Sequence, residues 1–245
     1  DLIGLISTEL QEDGNSRTNL LLLGAGGEGH DGQDLTDTIL IASLHQEKKT
    51  ASLLSIPRDL WLDIPGYGSS RINKIYYNLK DRYGSGPSLD ILRQGVENIT
   101  GLSIPYVIKI DFDGFEQVID TLGGVEITVE RSIYDTEYPN QWETGYTTFH
   151  LEAGTQVLDG KTALKYVRSR HSTSDFDRSR RQQELLQAIK KRAEHADLLQ
   201  SPLKLVQLYE ELREHIETNL SMAELVSLAK FGTQLQEEEI ATGVL

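Results

Sequence analysis

Residues 19–44, NLLLLGAGGEGHDGQDLTDTILIASL, set two apolar runs on either side of a glycine-rich acidic loop. Short continuous apolar runs that stop at glycine or at a charged turn are the pattern of strands buried on both faces. Working outward, Thr50–Ile56 gives a third strand that ends at Pro57-Arg58-Asp59, with Trp61–Ile64 as a short extension and Gly66–Ser70 as loop. The period then turns helical over Ile72–Tyr83 and Ser88–Thr100, with Ser88 as N-cap and Gly101 as the stop. Tyr106–Phe112 alternates as a strand, 113–122 reads as a helix closed by Gly123-Gly124, and Val125–Val129 as another strand. Residues 130–150 are aromatic and polar without a clear period, and helices follow at 159–167, 178–196, 202–216 and 221–235. Strands interleaved with helices, and no Pro/Ser-rich linker, give one α/β domain. The boundaries are a lead-in segment at 1–18, the domain at 19–235 and a C-terminal tail at 236–245.

The 245 residues carry 24 Lys/Arg and 38 Asp/Glu, a formal charge of −14. The stretch 165–192, KYVRSRHSTSDFDRSRRQQELLQAIKKR, runs against that balance: nine basic and three acidic residues make it +6, leaving −20 elsewhere. Guanidinium forks match phosphate and carboxylate oxygens, so the segment marks a site for a multiply charged anion, phosphate first among them. From Arg178 onward it lacks Gly and Pro, and Arg178, Arg181, Gln182, Leu185 and Ile189 share one helical stripe while Arg180 points away. The polar members of the stripe lie at the helix's positive end. An ion-pair network with internal carboxylates is the competing explanation. The acidity argues against nucleic acid or an anionic bilayer as the main partner, since both reward a broad positive field. There is no cysteine, which excludes thiol catalysis and cysteine-held metals. The six histidines have no zinc-ligand spacing. No run of about 18 apolar residues spans a membrane, and a start at Asp1 reads as a fragment with an anchor upstream.

Four segments in order carry a family resemblance: N-L-L-L-L-G (19–24) with T-D-T (36–38); S-I-P-R-D (55–59); R-I-N-K-I-Y (71–76); and L-D-G-K-T-A-L-K-Y-V-R-S-R (158–170) continuing into D-F-D-R-S-R-R-Q (175–182). Together they resemble the LytR-CpsA-Psr family over about residues 19–235. The resemblance implies an α-β-α sandwich with a central mixed sheet. It also implies an extracytoplasmic phosphotransferase, anchored by an N-terminal helix, that moves a glycopolymer from a polyprenyl-pyrophosphate carrier to peptidoglycan as a phosphodiester. The lipid tail would lie in an apolar pocket. Carried over by position, Arg58, Arg168, Arg170, Arg178, Arg181 and Gln182 would bind pyrophosphate, and Asp37 would hold Mg²⁺. Arg58, Asp37 and Arg178 form the implied catalytic set, and Asp37 and Asp59 are the candidate bases. The chain departs from the family where a second metal-associated aspartate is usual: that position is Gly26, and the arginine expected two before Asp37 is Leu35. Glu28, Asp31 and Asp34 are candidate substitutes, or the loop's backbone N–H groups cup phosphate directly. Loss of that acid also leaves open a non-catalytic binder of the lipid or of an anionic glycan, and water in place of the acceptor would give a pyrophosphatase.

Overall fold

The two apolar runs become the middle of a six-stranded sheet. The computed structural model describes residues 8–30, 32–140, 145–169, 175–196, 198, 201–236 and 239–245. In chain order the strands are β1 (Arg17–Ala25), β2 (Thr36–His45), β3 (Thr50–Ser55), β4 (Trp61–Ile64), β5 (Gly68–Arg71), β6 (Tyr106–Asp111), β7 (Val125–Val129), β8 (Ile133–Pro139), β9 (Tyr146–Leu151), β10 (Gly154–Leu158), β11 (Ile216–Thr218) and β12 (Ile240–Val244). The helices are α1 (Ile72–Tyr83), α2 (Ser85–Thr100), α3 (Phe112–Thr121), α4 (Gly160–Arg168), α5 (Asp175–His195), α6 (Pro202–Leu212) and α7 (Met222–Gly232). The main sheet has the order β11-β6-β1-β2-β3-β12. It is mixed: β1 is antiparallel to β2 and parallel to β6, and β12 is parallel to β3.

Alternation explains why β1 and β2 carry the unbroken apolar runs Leu20–Leu23 and Ile39–Ala42. Leu21, Leu23, Ile39 and Ile41 pack on one face against Ile72, Ile75, Tyr76, Leu92 and Val96 of α1 and α2. Leu20, Leu40, Ala42 and Leu44 pack on the other against Leu220, Phe231, Leu235 and the half-buried Leu186 of α5. Covering both faces with helices requires a hydrophobic residue at every position. A further cluster joins the strands β7 to β10 to α3, α4 and α5 through Ile119, Val125, Phe149, Leu158, Tyr166 and Leu185.

Several expectations change. The segment 236–245 is not merely a tail, because Ile240–Val244 forms the edge strand β12 beside β3. The lead-in is tied down as well: Gln11 N–H donates to the Tyr106 hydroxyl (3.0 Å), and Thr8 O accepts from Ser227 Oγ (2.7 Å). Residues 130–150 hold the β8–β9 hairpin, whose register shifts between Asp135 and Tyr138. That irregularity breaks the two-residue period by which a strand is read from sequence. Gly66–Ser70 contributes to β5, which pairs with β4. Ser88 is not a cap. Helix α2 starts at Ser85 with Pro87 in its first turn, where proline is tolerated, and buried Ser88 donates from Oγ to Gly84 O (2.7 Å). The predicted helix 202–216 ends at Leu212, after which Ile216–Thr218 joins β6 as β11. Among the described residues, no helix is long and apolar enough to cross a membrane.

The first turn of α4 fixes where its arginine-bearing end points. Asp159 caps it, accepting from Thr162 N, and Gly160 N–H donates to Asp120 Oδ1 (2.8 Å). A Cβ on Gly160 would lie 2.3 Å from the Glu116 carbonyl oxygen, so α3 and α4 touch backbone to backbone there. Overpacking so rigid a neighbour costs about 1–3 kcal/mol. Gly160→Ala should therefore lower the urea midpoint by that equivalent, and an unchanged midpoint would contradict this packing.

Candidate active site

Three distant pieces of chain meet at one end of the sheet: the start of β2, the turn after β3, and the facing ends of α4 and α5. Pro57 ends β3 and starts a turn in which Leu60 N–H donates to Pro57 O (3.0 Å) and Asn73 N–H to Arg58 O (3.3 Å). The turn projects Arg58 toward β2, where Nη1 donates to Asp37 Oδ1 at 2.6 Å. Asn73, buried at the start of α1, places Nδ2 at 3.4 Å from the same oxygen. Two donors thus hold one oxygen of Asp37 in position.

Arg168 ends α4, and its guanidinium carbon sits 4.1 Å from the Phe112 ring centroid and 5.8 Å from that of Tyr138. Stacking over aromatic faces fixes its plane. From α5, Gln182 Nε2 donates to Thr38 Oγ1 (2.9 Å) and Arg178 is buried one turn earlier. These groups line a cavity of about 310 Å³ bounded by Asp37, Arg58, Arg168, Arg178 and Gln182 together with Asp135 and Glu137. The basic segment divides its arginines: Arg168 and Arg178 line the cavity, whereas Arg180 lies away from it and pairs with Glu130 at 2.6 Å.

Behind this space lies an apolar cavity of about 220 Å³, walled by Leu22, Leu40, Ile108, Ile110, Phe115 and Leu164. Thr38, Phe112, Val167, Arg168 and Gln182 line both cavities. Gly24 belongs to its floor, because a Cβ there would come within 3.1 Å of Thr38 Cβ across the β1–β2 pair.

The expected residues do not all converge. Arg58, Asp37, Arg168, Arg178 and Gln182 do, whereas Arg170 lies outside the described residues. Arg181 does not line the cavity. It is buried against α4, with Nη1 donating to Tyr166 O (2.8 Å) and Nη2 to Ser169 O (2.6 Å). Arg181 and Gln182 are about 100° apart on a helix, so they occupy opposite edges of the stripe and meet different neighbours. Burial lowers the Arg181 pKa, opposed by the nearby Tyr166 and Asp177. Burial raises the Tyr166 hydroxyl, reinforced by the charge of Glu184 and a hydrogen bond to it.

The glycine loop does not supply the missing acid in the expected way. Asp34 is committed to Lys80 Nζ (2.7 Å), Glu28 lines neither cavity, and Asp31 lies outside the described residues. The Gly27 N–H donates to Gln33 O (2.8 Å), so it is spent inside the loop. A Cβ on Gly26 would lie 3.0 Å from His30 Cβ, which shows how tightly the loop has closed where a longer acid is usual. The cavity's other carboxylates come instead from β8, as Asp135 and Glu137, which the sequence reading missed inside its aperiodic segment. Asp135 accepts from Ser169 Oγ (2.7 Å), linking β8 to the end of α4. Among the described residues no cluster of three or more His, Asp or Glu could cage a metal. One carboxylate with substrate phosphates and water is enough for Mg²⁺, and the Asp37 carboxylate is a hard-oxygen donor suited to it.

At the start of α3, Asp111 caps the helix by accepting from Gly114 N (2.8 Å), and its other oxygen lies 3.0 Å from His215 Nδ1. That hydrogen bond, with the carboxylate's charge, raises the His215 pKa.

Comparison with known proteins adds relatives to this geometry. The model of the LytR_cpsA_psr family matches residues 6–244. The polyisoprenyl-teichoic acid–peptidoglycan teichoic acid transferase TagT of Bacillus subtilis (strain 168) is 29% identical over 232 residues, 93% of this chain and 68% of that protein. Regulatory protein MsrR of Staphylococcus aureus (strain COL) is 33% identical over 209 residues, 84% of this chain and 57% of that protein. A solved structure of TagT bound to LIIa-WTA superposes with a TM-score of 0.70 at 27% identity, covering 97% of this chain and 82% of that one.

Two outcomes follow from the surroundings of the cavity. Arg181→Ala removes two charge-assisted bonds to buried carbonyls, each worth about 1.5–3 kcal/mol, so the thermal midpoint should fall steeply. A midpoint within error of the parent would show that Arg181 does not clamp α4 to α5. Because the folded pKa of His215 is raised, its contribution to stability is complete below the ordinary value of about 6.5 and is lost as pH rises through the folded value. His215→Gln should flatten stability against pH in that window, and an unchanged profile would contradict the pairing with Asp111.

Proposed function

Starting from a chain that belongs to the LytR_cpsA_psr family, we propose that it transfers a glycopolymer from a polyprenyl-pyrophosphate carrier to peptidoglycan, forming a phosphodiester. The observation that carries this reading is the direct junction of a guanidinium-lined cavity with an apolar one. A diphosphate bearing an isoprenoid tail needs both environments, side by side, in that order. The transferase name of TagT supports the same reaction class.

In this reading Arg58, Arg168, Arg178 and Gln182 grip the pyrophosphate, and the tail runs inward past Phe112 toward Leu22 and Ile108. Arg181 supports that grip indirectly by fixing α4 against α5. The attacking hydroxyl belongs to the glycan acceptor, and the carrier phosphate leaves. Catalysis of this kind rests on positioning and on neutralising charge that develops on the phosphoryl oxygens. The described walls contribute three guanidiniums and three carboxylates, so they are formally neutral before substrate enters. Mg²⁺, held through Asp37, would add the positive charge that a diphosphate requires and would polarise its oxygens. The domain would act at the extracytoplasmic face of the bacterial membrane, tethered by a single-pass anchor upstream, because a polyprenyl carrier is drawn from the bilayer.

The glycine at position 26 supports a second reading, a non-catalytic binder of polyprenyl-pyrophosphate lipid or anionic glycan. Turnover that stops with a chelator and returns with Mg²⁺ favours the enzyme, whereas tight binding without turnover favours the binder. Losing a transition-state donor lowers such rates about 10²–10³-fold. Arg178→Ala and Arg58→Ala should each reduce transfer by that factor while circular dichroism stays native. Parental rates in both variants would contradict the proposal.

A further inference from the structure

A third space adjoins the arginine cluster. It has a volume of about 220 Å³ and is lined by Pro57, Asp59, Phe176, Ser179 and Val244, with Asp37, Arg58, Arg178 and Gln182 shared with the guanidinium-lined cavity. Gln182 is the one residue that it shares with the apolar cavity. The charged cavity therefore adjoins both of the others: it shares Thr38, Phe112, Val167, Arg168 and Gln182 with the apolar cavity, and it meets the third space at the wall formed by Asp37, Arg58 and Arg178.

Phosphoryl transfer proceeds with attacking and leaving oxygens roughly in line through phosphorus. When the lipid phosphate departs on the apolar side, the nucleophile must arrive from the other side of the wall. Resting on the transferase reading above, we infer that this third space is the subsite for the sugar that carries the acceptor hydroxyl. Its chemistry suits a glycan. Phe176 lines it with 69% of its surface exposed, so a face of the phenyl ring is open to a ligand in this space. An aromatic face can pack against the C–H face of a sugar ring, and Ser179, one turn of α5 further on, supplies a hydroxyl beside it.

The geometry also separates the two candidate bases. Asp37 lines both the charged cavity and the third space, whereas Asp59 lines the third space alone. Asp59 Oδ1 is fixed by Arg71 Nη1 at 3.0 Å, and Oδ2 lies 3.8 Å from Arg58 Nε, beside the guanidinium that would hold phosphate. In the resulting step the acceptor oxygen forms a new bond to the glycan-side phosphorus and its proton passes to Asp59. The bond from that phosphorus to the bridging oxygen breaks, and the bridging oxygen leaves on the lipid monophosphate.

The test uses the whole chain with a polyprenyl-pyrophosphate oligosaccharide as donor and a soluble peptidoglycan oligomer as acceptor. Phe176→Ala and Ser179→Trp, one removing the platform and the other filling the space, should each raise the acceptor KM about tenfold and leave the donor KM unchanged. Phe176 is exposed, so its truncation leaves the core intact. Asp59→Asn should lower kcat about 10²–10⁴-fold, the span of general-base catalysis. Arg71→Gln, which breaks the same ion pair but keeps the carboxylate, should retain most of kcat. Wild-type transfer with an unchanged acceptor KM in both pocket variants overturns the subsite. A wild-type protein that binds donor and never transfers it overturns the transferase reading and this inference with it.

Discussion

Three consecutive side chains of α5 lock it against three different partners, and the site depends on that lock. Arg181 holds the last carbonyls of α4. Gln182 reaches Thr38 on β2. Gln183, buried, donates from Nε2 to Ser55 Oγ (2.9 Å) and to Gly243 O (2.8 Å), joining β3 to β12. Taking polar groups this deep is unfavourable unless each is hydrogen-bonded, and here bonding them also fixes the rotation of the helix. With that rotation set, Arg178 lines the same cavity as Arg58 and Asp37. Precision of this kind is what charge stabilisation requires, since donors must be in place before charge develops.

The charge balance at the cavity follows from the same economy. A cluster of arginines with no counter-charge would repel itself and destabilise an otherwise acidic fold. Asp37, Asp135 and Glu137 on the same walls relieve that repulsion, and Asp37 also holds the Arg58 guanidinium at 2.6 Å. The cost is that positive potential available to an anion is small until more cationic charge arrives. In the proposed reading a divalent cation would bring that charge, arriving with the substrate and leaving with the product.

Much of this was legible in the sequence, for identifiable reasons. The central strands were plain because β1 and β2 are covered on both faces, which demands unbroken apolar runs such as Leu20–Leu23. Helix α1 was readable to its last residue because its apolar stripe and the glycine at 84 are local signals. Arg178 and Gln182 were found because a cluster of guanidinium groups stands out against an acidic background, and Arg58 and Asp37 by their positions in the resembling motifs S-I-P-R-D and T-D-T; all four line one cavity. What could not be read was pairing between distant segments. The strand β12 is five residues long and half-exposed, so its place beside β3 is set by partners rather than by its own pattern. The β8–β9 hairpin hid behind its shifted register, and with it Asp135 and Glu137. Arg181 is buried on the inward side as the stripe implies, but it meets α4 rather than the cavity, because helical spacing gives an angle on the helix and not the identity of the neighbour that the angle faces.

The central claim is that separate guanidiniums close on a diphosphate at the mouth of an apolar cavity. The most direct measurement is a crystal structure of the protein with a short-chain polyprenyl pyrophosphate. The account predicts the head group between Arg58, Arg168 and Arg178, with the isoprenoid chain passing Phe112 to lie against Leu22, Ile108 and Leu164. A head group bound elsewhere, or a tail lying outside the space between the sheet and α3 to α5, would contradict it.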